Sequence, residues 1–293
     1  MLGSSIFESR IDVTKVLSVG IATLDTIVLV DKYPDANERV IAREMVRAVG
    51  GPATTAAVTM ARLGVDVSLS CVIGDDDAGR FIFDQLKREG VDTRNVMIDS
   101  HTPTAVGTIV VSASQQTRAI MVQPHQTLPG KPANLAEYGW IHVDHFGMDA
   151  LKVWGVKRGG SAKLSIDIGY DSPGLRSSDY DLFVPSENVT TDVSSAARDK
   201  NIVVISRGSD GSIFSDGIDT GMVPAIKTTV LSTLGAGDVF HGALVAAQVW
   251  GKSLTESVEI ANTVAGISCR ALDGQSGIPT KAELDAYRAQ VRS

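Results

Sequence analysis

The first 64 residues show two patterns of hydrophobic positions. Val16 to Val30 is rich in β-branched residues and is interrupted by a glycine, which predicts a strand, a turn and a second strand. The segment 50–64 follows with small residues suited to close packing, Pro52 where a helix would begin and Gly64 where it would end. We therefore expect strand, strand and helix in this order.

The same rhythm continues over the next 26 residues. Residues 65–74 predict a strand, and residues 75–90 predict a helix whose first turn is acidic and whose last turn carries Lys87 and Arg88, as the helix dipole favours. The acidic run 75–77 is explained by this helix start better than by calcium binding. Alternating strands and helices predict an α/β fold with a mostly parallel central sheet and helices on both faces.

Residues 103–122 depart from this rhythm, because two strand patterns flank a polar turn at 114–116. We expect a hairpin that acts as a lid over a site. Short apolar strands then recur at 140–145, 163–168, 181–186 and 201–206, and the ends of such strands are where open α/β sheets bind ligands.

The composition fits one folded unit. The 293 residues are 43% hydrophobic and 21% charged, which is enough apolar material for a large core. The net charge of -7, without a basic cluster, argues against nucleic acid as a partner, and no run reaches the ~18 apolar residues of a membrane span. Two cysteines cannot form a disulfide framework, and we expect a cytoplasmic protein.

The stretch 228–250 holds the candidate chemistry. It predicts a strand over 228–232, a glycine turn and a helix, so that free backbone amides form an anion site at the helix start. Asp238 lies directly behind Gly235 and Gly237, and the helix dipole together with the free amides predicts that its carboxylate is ionised at neutral pH. From this loop alone Asp238 is either a general base for phosphoryl transfer or a helix cap, and caps are commoner.

Two motifs together carry a resemblance. "TLGAGDVFHGA" resembles the D-T-x-G-A-G-D signature of the PfkB/ribokinase family of sugar kinases, and "GGPATTAAVTMARLG" resembles the family's Gly-Gly turn before a small-residue helix. The resemblance runs from Val16 to about Pro279. It implies a three-layer ribokinase-like fold over 12–288, with small-sheet lid strands from about 25–49 and 103–123, and a flexible tail at 1–11.

The resemblance also implies an ATP-dependent sugar kinase with Mg²⁺. Asp238 would be the general base, and the amides of Gly235, Ala236 and Gly237 would form the anion hole. The implied sugar-binding residues are Asp25, Asn37, Gly50, Gly51, Thr55 (where many relatives have Asn) and the lid residue Arg118. The implied nucleotide-binding residues are Ser206, Gly208, Gly211, Thr233, Gly235, Gly237 and Asn262, although the helix of Asn262 is equally explained by packing.

Two departures concern metals. The family's Asn-x-x-Glu motif falls on Ser186 and Val189, which leaves Glu187 as the nearby carboxylate that would reach magnesium through water. Ser232 replaces the first Asp of the other signature, which makes a monovalent-cation site doubtful. A His142-x-x-His145 metal pair is disfavoured, since on a strand this spacing sends the rings to opposite faces.

The acceptor sugar is left open by the motifs. Some segments resemble ketohexokinase and others resemble bacterial sulfofructose kinase, whose substrate is anionic. A sulfonate would need a basic cluster, for which the candidates are Arg43, Arg47, Arg118 and His125. His145 and Phe146 stand where the sulfofructose kinase would have arginine, which argues against a sulfonate. We therefore expect a neutral ketose. A sulfofructose kinase or other anionic-sugar kinase is the first alternative, and a catalytically weak sugar or nucleotide sensor is the second. The exposed lid edges predict a homodimer through the lid.

Overall fold

The computed structural model describes residues 14–124, 127–169, 175–190, 192–197 and 200–292. The predicted tail 1–11 and His125 lie outside the described residues. The strands in chain order are β1 (Lys15–Val19), β2 (Thr23–Val30), β3 (Glu44–Gly50), β4 (Val67–Gly74), β5 (Val96–Asp99), β6 (Ala105–Ser112), β7 (Thr117–Gln123), β8 (Tyr138–Val143), β9 (Lys163–Ile168), β10 (Leu182–Pro185), β11 (Ile202–Ser206), β12 (Ser212–Ser215) and β13 (Thr220–Val223).

Helices occupy the connections between the strands. They are α1 (Pro52–Arg62), α2 (Asp77–Arg88), α3 (His145–Trp154), α4 (Val193–Ala196), α5 (Ala236–Val249), α6 (Leu254–Ser268) and α7 (Lys281–Arg292). The predicted start of α2 is confirmed, because the Asp76 side chain caps the helix by accepting a hydrogen bond from the Gly79 amide at 2.7 Å.

Nine strands form the large sheet in the order β13-β12-β11-β10-β9-β8-β1-β4-β5. Its strands are parallel from β11 to β5, whereas β12 and β13 are antiparallel additions at one edge. One hydrophobic cluster packs α1, α5 and α6 against one face, and a second packs α3 against the other. The α/β expectation with helices on both faces is therefore confirmed.

A second sheet of four strands has the order β3-β2-β6-β7. Its outer pairs are antiparallel and β2 pairs with β6 in parallel, so the predicted hairpin β6–β7 is joined by the two strands that precede α1. The inner face has its own apolar cluster, which includes Ile27, Ile109 and Leu272. Because Leu272 follows α6, this small sheet is packed onto the main body.

The strand predicted over 228–232 is wrong. Among the described residues the segment has no strand partner, and the amides of Leu231 and Ser232 both donate to the Cys269 carbonyl, at 2.8 and 3.2 Å. Val230 and Leu231 are each 46% exposed, so the β-branched pattern here does not mark a buried strand.

Candidate active site

The loop before α5 presents free backbone amides. Gly235 caps the helix in a left-handed conformation, φ 70°, which glycine adopts without a Cβ penalty. A Cβ built on Gly237 would meet nothing within 4 Å, so the loop is open on that side. The amide of Ala236, which we expected in the anion hole, instead donates to the Thr233 carbonyl at 3.3 Å. Within the described chain, the amides of Gly235, Gly237 and Asp238 make no hydrogen bond.

The charge expected on Asp238 is corrected by its surroundings. Burial raises the pKa of Asp238 well above its usual range, and the neighbouring carboxyl group of Asp167 raises it further through charge and a shared hydrogen bond. Arg118 acts in the opposite direction. The helix dipole and the loop amides favour the ionised form of Asp238, but desolvation and a second carboxylate outweigh them here.

Asp144 is a third carboxylate near this point, and it holds three elements together. It is buried and accepts three backbone hydrogen bonds. They come from Gly147 in the first turn of α3 at 2.8 Å, from Ile21 after β1 at 2.9 Å and from Ala53 in the first turn of α1 at 3.2 Å. Burial raises the pKa of Asp144 to about 6 despite these bonds. Sequence reasoning missed both Asp144 and Asp167, although each is a carboxylate at the end of an apolar strand.

The carboxylate of Asp25 lies in β2 between two glycines. Asp25 pairs with Gly107 of β6 in the strand register, and a Cβ built on Gly50 or on Gly107 would overlap the carboxylate. Burial raises the pKa of Asp25, while Thr23 lowers it through a hydrogen bond. Asp25 Oδ1 is buried and has no hydrogen-bond partner among the described residues. A buried acceptor without a partner is suited to a ligand hydroxyl.

The Gly-Gly turn connects this carboxylate to Asp238. Gly51 caps α1 with φ 97°, and Thr55 lies one turn into that helix. A Cβ built on Gly235 would lie 3.8 Å from Thr55 Cγ2 and 3.9 Å from Asp238 Oδ2. The two motifs that are about 180 residues apart in sequence therefore meet in one site.

The hydroxyl of Thr55 is already engaged. It accepts a hydrogen bond from the Gln275 amide at 3.1 Å, and both side chains are buried. Arg62 holds the loop of Gln275 by donating to the carbonyls of Gln275 and Ile278, at 2.8 and 2.9 Å. The side-chain amide of Gln275 thus lies beside Thr55, the position where the family resemblance implies Asn in many relatives, and it comes from a different segment of the chain. Gln275 was not among the predicted site residues.

The small sheet reaches the loop through one arginine. Arg118 of β7 donates to the Thr233 hydroxyl at 2.8 Å, which places its charge beside the residues before Gly235. Asn37 is not brought to Asp25: it lies in the exposed loop at the tip of the β2–β3 hairpin, whereas Asp25 pairs with Ala48 near the other end.

The family comparison is decisive once this geometry is known. The model of the pfkB family carbohydrate kinases matches residues 13–152 and 179–281. The chain belongs to this family. It is therefore a carbohydrate kinase by descent, and phosphotransfer to a sugar hydroxyl is the reaction of its relatives.

Similar carbohydrate kinases cover nearly the whole chain. A ribokinase of Lactococcus lactis is 25% identical and covers 93% of this chain and 96% of its own length, and the ketohexokinase of Mus musculus is 24% identical over 90% and 98%. The crystal structure of a putative ribokinase from Agrobacterium tumefaciens has the same fold, with TM-score 0.84, 24% identity and coverage of 96% and 99%. The finer resemblance to ketohexokinase and sulfofructose kinase is not confirmed, since ribokinases are the stronger matches.

Three of the residues predicted for the nucleotide of a pfkB kinase lie around the end of β11, whereas Thr233, Gly235 and Gly237 precede or begin α5 and Asn262 lies in α6. Ser206 ends this strand, and Gly208 and Gly211 flank a short 3₁₀ turn with φ 53° and 86°. A Cβ on Gly211 would overlap the Val223 carbonyl, so glycine is required there for packing. Asn262 is also used by the protein: its Oδ1 accepts from Ser212 at 2.9 Å and its Nδ2 donates to Val223 at 3.1 Å.

The metal residues are weakly placed for direct ligation. Glu187 is half exposed, and its carboxylate lies 3.9 Å from Arg207 Nε. The hydroxyl of Ser232 is buried and accepts a hydrogen bond from the Leu234 amide at 3.1 Å. The described ranges contain no group of three or more His, Cys, Asp or Glu placed to hold a metal. The sequence analysis placed His142 and His145 on one strand, but His142 lies in β8 and His145 begins α3.

Two further findings concern the rest of the surface. A cavity of 690 Å³ lies away from these residues, lined among others by Lys152, Arg176 and Tyr180, so its volume says nothing about the kinase site. Among the described helices, none is both long and apolar enough to cross a membrane.

Proposed function

We propose that this chain is an ATP-dependent kinase that transfers the γ-phosphoryl group to a hydroxyl of a small neutral sugar. The observation that carries the proposal is the meeting of Asp238, the free amides of its loop and the Gly50–Gly51 turn in one site. A base beside anion-binding amides is what phosphoryl transfer to an alcohol requires.

In the proposed step, Asp238 accepts the proton of the sugar hydroxyl as the hydroxyl oxygen attacks the γ-phosphorus. The bond between the γ-phosphorus and the bridging oxygen breaks, and ADP leaves with the electron pair. The amides of Gly235 and Gly237 would stabilise the negative charge of the phosphoryl oxygens. Arg118 would add a positive charge on the small-sheet side, because it already lies at Thr233.

The sugar would lie between Asp25 and Thr55. Asp25 offers a buried carboxylate oxygen that lacks a partner, which suits a sugar hydroxyl, and the bare backbone of Gly50 and Gly51 allows close approach. Bound Mg²⁺ would supply neutralisation of phosphate charge; it would be held mainly by ATP and water, with Glu187 as an outer contact. Ser232 in place of the first Asp of the signature argues against a monovalent-cation site.

The cationic candidates support a neutral acceptor. Arg43 pairs with Asp31, the guanidinium of Arg47 stacks 5.5 Å from the Phe81 ring centroid, and Arg118 is bonded to Thr233. Arg43 and Arg118 line one small pocket beside Thr233, but Asp31 already pairs with Arg43, so of these two cations only Arg118 has no carboxylate partner among the described residues. Within neutral sugars we propose ketohexoses, as the sequence motifs suggested, and pentoses, as the ribokinase relatives suggest.

The test is ADP release with Mg-ATP and a panel of fructose, tagatose, ribose, adenosine and sulfofructose. With the best sugar, Asp238→Asn should lower kcat by about 10²- to 10⁴-fold while ATP binding is retained. Asp77→Asn is the matched control, because this aspartate is 97% exposed at the start of α2. An Asp238→Asn enzyme with normal kcat would refute the assignment.

A sensor is the second candidate, favoured only by Ser232 and Val189 standing where relatives have ligand carboxylates. Sugar binding measured by calorimetry, with no ADP release for any sugar in the panel, would support it over the kinase.

We also propose that two copies pair through their small sheets. β3 and β7 are its edge strands, and exposed apolar side chains lie on them, namely Met45 at 63%, Ile120 at 50%, Met121 at 53% and Val122 at 45%. Unpaired strand edges with apolar side chains favour association with another strand.

A further inference from the structure

A buried pair of polar side chains lies behind the catalytic loop and is not used by the reaction as described so far. Asp167 is the second-last residue of β9 and is 8% exposed, and His241 of α5 is 4% exposed. Asp167 Oδ2 and His241 Nδ1 are 2.6 Å apart. Neither atom has another hydrogen-bond partner among the described residues.

The other ring nitrogen of His241 fixes where a proton must be. Nε2 lies 3.1 Å from the Val184 carbonyl oxygen, which can only accept, so Nε2 carries a hydrogen. Nδ1 then faces a carboxylate oxygen at a distance that requires a proton between them. The pair therefore holds one shared proton and has no net charge. Val184 and Asp167 are opposite each other in the register of β10 and β9, so the ring spans two neighbouring strands.

The fold places this pair directly behind Asp238. His241 follows Asp238 by three residues in α5, and residues with this spacing lie on the same face of a helix. Asp167 interacts with Asp238 through charge and a side-chain hydrogen bond. Asp238, Asp167, His241 and the Val184 carbonyl thus form a continuous row from the site into the sheet.

We propose that His241 and Asp167 are positioning residues for the base: Asp167 orients the carboxyl group of Asp238, and His241 neutralises Asp167 so that Asp238 can become ionised. This inference rests on the proposed function of Asp238 as general base. Without His241, Asp167 would present a full negative charge to Asp238 in a buried environment, and two carboxylates at one site do not both ionise readily.

The other charged groups around Asp238 do not perform this task. Asp144 of the β8–α3 junction raises the pKa of Asp238, and Arg118 of β7 lowers it. His142 of β8 is a second buried imidazole, with its ring centroid 6.3 Å from that of His241 and its Nδ1 3.0 Å from the Ser165 hydroxyl. Burial, and then the charge of His241, lower the pKa of His142 to about 4, so it stays neutral in the working range.

The proposal predicts opposite effects from its two members. Asp167→Asn removes the competing carboxylate, so the acid limb of the kcat/KM profile should move to lower pH by about 1 unit or more. His241→Asn leaves Asp167 without its partner, so the limb should move to higher pH by a similar amount. His142→Asn is the matched control, a buried and neutral imidazole on the same side, and should leave the limb in place.

A second measurement does not depend on activity. In the full chain with ¹³C-labelled aspartate carboxyl groups, the Asp238 resonance, assigned by its absence in Asp238→Asn, should titrate at lower pH in Asp167→Asn and at higher pH in His241→Asn. An inactive wild-type enzyme would refute the proposed function, but this titration would still decide on the pair. If one variant does not fold, the other decides alone.

Shifts in the same direction in both variants, or an unchanged midpoint in the folded variants, would overturn the proposal. The pair would then be a structural contact, and its loss would lower Tm without moving the acid limb.

Discussion

Gly107→Ala should weaken sugar binding, because the added methyl group would displace the carboxylate of Asp25 without providing another hydrogen-bond acceptor. A Cβ at this position would overlap Asp25 Oδ1 and lie 3.1 Å from Asp25 Cγ, and the nearest atom outside Asp25 is the Met121 carbonyl oxygen at 3.7 Å. The backbone at Gly107 is not in the left-handed region, so alanine adds no conformational strain of its own. The methyl group therefore acts mainly on the side chain of Asp25, which must rotate away from the buried position.

The expected loss follows from the hydrogen bond that Asp25 offers. A hydrogen bond to a charged group contributes about 1.5–3 kcal/mol, which corresponds to an increase of about 10- to 150-fold in the KM for the sugar. The KM for ATP should not change, because the change is on the side of the small sheet. Overpacking costs about 1–3 kcal/mol of stability, so Tm should fall but the chain should fold.

The assay is the initial rate of ADP release, with sugar varied at saturating ATP and then ATP varied at saturating sugar. Gly130→Ala is the control, because a Cβ there would meet nothing within 4 Å. A folded Gly107→Ala enzyme with an unchanged sugar KM would show that Asp25 does not bind the acceptor. A rise in the KM for ATP of the same size would show that the small sheet as a whole had moved.

Two other predictions concern stability and assembly. Burial raises the pKa of Asp144 from 3.8 to about 6, so its protonated form contributes about 3 kcal/mol to folding stability below about pH 4, and this contribution is lost as the pH rises through 6. Asp144→Asn should therefore remove the corresponding fall in the free energy of urea unfolding between pH 4 and 7, and an unchanged fall would contradict the assignment. Ile120→Lys on the edge strand β7 should convert a dimer of the unmodified chain to monomer in sedimentation experiments, whereas the control Ile218→Lys on an exposed loop should stay dimeric. Equal masses for the unmodified chain and both variants would refute pairing through the small sheet.

The elements of the fold were predictable where local pattern and burial agree. Pro52 and Gly64 mark α1 because helix starts and ends have a local chemistry, and the β-branched runs mark the central strands because both faces of these strands are buried. The same reasoning failed at 228–232, since β-branched residues there lie in an exposed segment whose amides bind the Cys269 carbonyl. A strand needs a neighbour, and a single segment of sequence does not show it.

The candidate site was predictable only where one segment holds the chemistry. Gly235 and Asp238 lie together in the chain, so their loop could be recognised as an anion site. Gln275, Gly107 and Asp167 enter the site from other segments, and only the fold shows that Gln275 supplies an amide beside Thr55. The raised pKa of Asp238 could not be derived for the same reason, because it depends on burial in the folded chain and then on the carboxyl group of Asp167, 71 positions earlier in the numbering.

The placement of Arg118 connects the small sheet to the ionisation of the base. Arg118 is the cation that lowers the pKa of Asp238, and it is carried by β7 and bonded to Thr233. A small sheet that moved away from the main body would remove this charge, and the proton would then be held more tightly by Asp238. Under the proposed function a protonated Asp238 cannot take the proton of a water molecule, so an undocked small sheet would limit hydrolysis of ATP when no sugar is bound. If His241 neutralises Asp167 as proposed, the ionisation of Asp238 is influenced from two sides, by that pair inside the large sheet and by Arg118 on the small sheet.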